Sequence, residues 1–108
     1  MQELLLLKDS GPKYESIFAP SCGTTNCLIN EVVQSFDKDN QDLILVGEMA
    51  ELTSALLNRH RGRIDKANVT EELAHVLISC EVVRRICEIS IDQLEAESLK
   101  KLQKYGWA

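Results

Sequence analysis

The chain has 108 residues, enough for one domain, and its formal net charge of −5 offers no electrostatic attraction to a polyanion, so a nucleic acid polymer is not an expected partner. Aromatic residues make up 5% and there are two prolines, which disfavours a sandwich or barrel of short strands. A run of four leucines near the start is too short for a membrane span and lacks the basic beginning of a signal peptide, and no other segment approaches about 18 unbroken apolar residues; the expected setting is the cytoplasm, with no membrane partner.

Residues 1–25 show no sustained period and are punctuated by Gly11-Pro12, Pro20 and Gly23, so they are expected to form an N-terminal extension to a helical domain over 26–108. Leu28, Ile29, Val32, Val33 and Phe36 then recur at helical spacing and predict a first helix from about Asn26 to Phe36. Residues 37–40 are polar and turn-like. A second helix is expected from about Gln41 to Asn58, and its apolar residues (Leu43 to Val46, Met49, Ala50, Leu52, Ala55 to Leu57) cover nearly the whole circumference. Such a helix is expected to be buried on every side, which in so small a chain calls for a second subunit.

Arg59, Arg61 and Arg63 make a basic loop around Gly62. Asn68-x-x-Glu71 has the spacing of a capping box and predicts the start of a third helix, whose buried side is expected at Val69, Leu73, Val76, Leu77, Cys80, Val83 and Ile86, with an end near Ser90. A fourth helix opens at Asp92, with Glu95 and Glu97 early, Lys100, Lys101 and Lys104 late, and Gly106 as its stop. The expected fold is all-α, a four-helix bundle. Cys22, Cys27, Cys80 and Cys87 lack zinc-site spacing and are expected to be buried reduced thiols.

Two short stretches carry the chemistry. In GEMAEL (Gly47 to Leu52), Glu48 and Glu51 share one face of the second helix; in EELAH (Glu71 to His75), Glu72 and His75 share one face of the third. A short loop joins the two helices, so they are expected to be antiparallel neighbours with the four groups converging between them. Carboxylates facing one another inside a bundle repel and are costly to desolvate, and a divalent cation removes both objections. The alternatives are a solvated Glu-x-x-Glu face, and a surface pairing of His75 with Glu71.

The order GEMAEL, then ALL, RGR, N-x-T-EELA-x-VLI and ISIDQLEAESLKKLQK, resembles the MazG-like all-α nucleoside triphosphate pyrophosphohydrolases, particularly short phage and prophage-type members. That family carries E-E-x-x-E, an interval and E-x-x-D, and here 20 residues lie between Glu51 and Glu72. The resemblance spans about Asn26 to Tyr105. It implies hydrolysis of the α–β phosphoanhydride of a nucleoside triphosphate, giving the monophosphate and pyrophosphate; the all-round apolar second helix separately leads to the expectation of a homodimer or dimer of dimers. The resemblance implies that Glu48, Glu51 and Glu72 are catalytic and that they bind Mg²⁺ with His75. Arg59, Arg61, Arg63, Lys100 and Lys104 are the candidates for neutralising phosphates, or ordinary solvated charges. Gly47 stands where the family has its first glutamate, and His75 where it has aspartate. An imidazole in place of a carboxylate favours Mn²⁺ over Mg²⁺. Two other readings stay open, a catalytically decayed protein of the same fold that binds a nucleotide or partner without turnover, and a bundle whose acids hold a structural cation.

Overall fold

A computed structural model describes residues 16–62 and 65–106, so the leucine run, Arg63 and Trp107 lie outside the described residues. Among these residues the chain is all-α. Helix α1 spans Gly23–Gln34, α2 Gln41–His60, α3 Lys66–Ile86 and α4 Ile91–Lys104, with a 3-10 turn at Phe36–Asn40 leading into α2.

The capping chemistry sets the boundaries. The α3 start is two residues earlier than the Asn68 box predicts, because the Asp65 carboxylate, on extended backbone, accepts a hydrogen bond from the Asn68 amide at 3.0 Å. The C-terminal end of α3 closes with Glu88 at a positive φ of 57°, the Ile89 amide donating to the Arg84 carbonyl and the Glu88 amide to the Arg85 carbonyl. Ser90 is therefore not the tail of α3. It caps α4, accepting from the Gln93 amide while the Gln93 side chain accepts from the Ser90 amide.

Helices α2 and α3 form the main packed layer and α1 lies against α3. A cleft lined by Gln41 and Asp42 together with Val83, Ile86 and Cys87 sets the start of α2 against the end of α3, which makes the pair antiparallel. Among the described residues the buried apolar ones are few: Ile29, Ala55 and Val82. On α3 the side expected to be buried is only partly so. Leu73, Leu77 and Cys80 are exposed, and the buried positions are Ser79, Glu81, Val82 and Arg84. The reason is that α3 is covered from two directions. Helix α2 packs along one side, while α1 and residues 16–22 cover the opposite side only near its C-terminal half.

That second contact is polar. Glu81 is 0% exposed, and its carboxylate accepts two hydrogen bonds from Arg84 at 2.8 Å and one from Arg85 at 2.6 Å. Arg85 also donates to the side-chain and backbone oxygens of Asn26 on α1, and Asn26 in turn donates to the Ala19 carbonyl. The Ile17 amide donates to Glu81 at 3.4 Å. Burial pushes the Glu81 carboxyl up, but the two guanidinium hydrogen bonds and the charge of Arg84 outweigh it and hold the group below the usual carboxylate range.

Helix α2 is not buried on every side in the single chain. Its outer face leaves Leu43 (67% exposed), Val46, Met49 and Leu57 open, because among the described elements it packs mainly on α3 and the 3-10 turn. Helix α4 does not join a four-helix bundle either. It has no buried residue and no extensive contact with another described helix, since the left-handed Glu88 and extended Ser90 redirect the chain at the end of α3. The expectation of buried thiols also fails: all four cysteines are free, Cys22 half-buried and Cys27, Cys80 and Cys87 exposed. No described helix is long and apolar enough to cross a membrane.

Candidate metal centre

Glu48 and Glu51 lie one turn apart on α2, and Glu72 and His75 one turn apart on α3, as the i, i+3 spacing requires. The antiparallel register of the two helices brings both pairs to one level. One potential ligand atom from each of the four residues lies within 4.8 Å of the others. Opposite ligands of an ion held at about 2.1 Å stand about 4.2 Å apart, so the cluster is close to ligating size as it stands.

The cluster sits at the edge of the helix seam. Side-chain exposure is 14% at Glu72, 23% at Glu48 and 39% at His75, and Glu51 is the exposed member. His75 Nδ1 is 3.3 Å from Glu72 Oε1 and 3.9 Å from Glu48 Oε2. Glu72 Oε1 is nevertheless buried without a hydrogen-bond partner. Leaving such an oxygen unsatisfied costs about 1–3 kcal/mol, and a cation beside it removes that cost. Three carboxylates and one imidazole form a hard-oxygen set softened by one nitrogen, which suits Mg²⁺ and suits Mn²⁺ better. The donors present fit a divalent cation. Glu71 is exposed and makes no contact with His75 among the described ion pairs; the carboxylates beside the imidazole are those of Glu72 and Glu48.

The basic residues are not part of this cluster. Arg59 lies eight residues beyond Glu51, about 12 Å along the axis, and Arg61 turns back to the Asn58 side chain. Lys100 pairs with Glu97 at 2.7 Å on α4, and Lys104 is exposed there, on a helix with no extensive contact to α2 or α3 among the described residues. Among the described residues, no hydrogen bond or ion pair joins any of these cations to the four ligand groups. The clefts around Gln41 lie at the other end of α2.

No protein-family model, curated protein or solved structure matches the chain. The fold and the site together define an all-helical protein with a candidate acid-and-imidazole metal centre between two antiparallel helices.

The imidazole makes a measurable prediction. His75→Asp adds a fourth carboxylate to the same level of the seam and is expected to tighten Mg²⁺ binding by roughly tenfold while changing Mn²⁺ binding less. Calorimetric titration of both proteins with both ions checks it. Equal Mg²⁺ affinity in the two would remove His75 from the ligand set.

Proposed function

We propose that the chain is a metal-dependent nucleotide pyrophosphohydrolase, cleaving the α–β phosphoanhydride of a nucleoside triphosphate to the monophosphate and pyrophosphate. The observation that carries this reading is the convergence of Glu48, Glu51, Glu72 and His75 from two helices within 4.8 Å. Those four residues hold the cation, and the acids among them are the groups the resemblance to MazG-like enzymes marks as catalytic. A bound divalent cation supplies charge neutralisation at phosphate oxygens and activation of water. The chain's own contribution is positional. Glu72 and Glu48 anchor the centre at the seam, and the exposed Glu51 lies on the side open to solvent, where a polyphosphate approaches.

A panel of nucleoside triphosphates with Mg²⁺, Mn²⁺ and Zn²⁺, followed by pyrophosphate release, tests the proposal. Release with at least one nucleotide and metal supports it, and no release across the panel sinks it. Gly47 and His75 favour one rival, a protein that binds nucleotide without turnover; its signature is a nucleotide-induced rise in melting temperature with no pyrophosphate released. A rise with metal alone, indifferent to nucleotide, marks a structural cation instead.

The same reading takes the protein as a homodimer or dimer of dimers. The open apolar faces support it: Leu43, Val46, Met49 and Leu57 on α2 and Leu73, Leu77 and Ile78 on α3 are exposed in the single chain. Sedimentation at micromolar concentration is expected to show no stable folded monomer, and a compact monomer there would refute it.

A further inference from the structure

We infer that α4 is a self-association arm, pairing antiparallel with α4 of a second copy of this chain about a two-fold axis near Ser98. Two features of the helix point to that occupant. The first is its apolar stripe. Ile91, Leu94, Ser98, Leu102 and Tyr105 fall on one face at steps of three and four residues. Leu94, Leu102 and Tyr105 are exposed and Ile91 is half-buried, although the helix itself is well formed by the Ser90–Gln93 capping box and closes at Gly106, with φ of 85°.

The stripe is symmetric about Ser98. Ile91 and Tyr105 are seven residues to either side of it, and Leu94 and Leu102 four. An antiparallel two-fold placed at Ser98 therefore sets Leu94 against Leu102 of the second copy and Ile91 against its Tyr105, with the small Ser98 side chains meeting where the helices approach closest. Lys101 lies over the Tyr105 ring, 5.3 Å from its centroid, at the edge of this stripe.

The second feature is charge. All the acids of α4 precede Ser98 (Asp92, Glu95, Glu97) and all its lysines follow it (Lys100, Lys101, Lys104). A parallel pair would place acids beside acids and lysines beside lysines. An antiparallel pair places the acidic half of each helix beside the basic half of the other, and it opposes the two macrodipoles favourably. A generic apolar partner would match the stripe, but a second α4 matches the stripe and the charges together. At 14 residues the helix gives a short contact, so it acts alongside the open face of α2 rather than in its place.

This inference rests on the reading that the chain self-associates and is independent of what the metal centre binds. Its test is disulfide mapping in the full-length protein, with sedimentation run in parallel and linked peptides identified by mass spectrometry. Ser98→Cys is expected to give a disulfide between the introduced thiols of two copies. Leu94→Cys mixed with Leu102→Cys is expected to give the mixed disulfide, and each alone at least about tenfold less linkage, because like positions then stand about 12 Å apart along the axis, beyond disulfide reach. Strong linkage of Leu94→Cys to itself would mean a parallel pair and overturn the inference. Linkage of the introduced thiols to Cys27, Cys80 or Cys87 of another copy would put a different surface on α4 and also overturn it. A protein that sediments as a dimer without any of these links would leave the assembly standing and dismiss α4 as its interface; a monomer would dismiss both.

Discussion

Glu51→Gln is expected to abolish metal-dependent pyrophosphate release, by at least roughly 100-fold, while the protein stays folded with a melting temperature at or above that of the unmodified chain. The size follows from what ligand loss does: even outer partners of a metal ligand are worth about 10–100-fold, and a carboxylate in direct contact is worth at least as much. The sign on stability follows from the electrostatics of the seam. Glu48, Glu51 and Glu72 bring three carboxylates to one spot with only His75 beside them, and among the described residues no lysine or arginine pairs with any of the three. Removing one charge relieves repulsion in the metal-free protein. Glutamine keeps the shape, so the packing of α2 on α3 is preserved. Pyrophosphate release with Mg²⁺ and Mn²⁺, together with thermal melts in chelator, checks both halves of the expectation. A variant that unfolds in metal-free buffer would show that Glu51 holds the fold together; one that keeps full turnover would remove it from the centre.

Glu81 should behave in the opposite way. Glu81→Gln is expected to cost about 3–5 kcal/mol of stability, because it leaves the Arg84 and Arg85 guanidinium groups at a covered site without their shared anion. That is a large share of the roughly 5–15 kcal/mol that holds a small domain together. The loss should loosen α1 and residues 16–22 from α3, since Arg85 reaches Asn26 and Glu81 accepts from Ile17. Urea denaturation at neutral pH measures the cost, and hydrogen exchange locates it.

The same carboxylate gives an acid dependence. Its folded value is held below the ordinary one, so its contribution is fully present above about pH 4.3, the usual glutamate range, and is lost as pH falls through the lowered folded value. The unmodified protein should therefore lose this increment of stability on acidification below about pH 4. Glu81→Gln should start lower and lack that increment. Equal acid dependence in the two proteins would mean that Glu81 is not the group responsible.

The contrast between the two glutamates shows which parts of the molecule are local in origin. Both belong to helical i, i+3 patterns, Glu48-x-x-Glu51 and Glu81-x-x-Arg84. A reading of spacing alone treats them alike. The first pair stands out because it interrupts a strongly apolar stretch. The second is an i, i+3 acid–base spacing of a common kind, and nothing nearby in the chain shows that it is buried. Its burial comes from Ile17 and Asn26, more than fifty residues away.

By itself the sequence determined the all-α class, the order of the helices, and the placement of two ligand pairs one turn apart, because helical periodicity and side-chain direction are properties of a few consecutive residues. It also placed the end of α4 at Gly106, through a preference for positive φ that is likewise local. Only the tertiary structure decided that Glu48 and Glu51 meet Glu72 and His75, since that depends on the register of α2 against α3. It alone decided that Leu73 and Leu77 face outward while Glu81 and Arg84 are covered, because α3 is packed from two directions and its apolar pattern describes only one. It alone left α4 outside the bundle, with Leu94, Leu102 and Tyr105 of its apolar stripe exposed. Periodicity says which face of a helix seeks cover; which neighbour supplies that cover is a non-local choice, made by the packing of the whole chain and its copies.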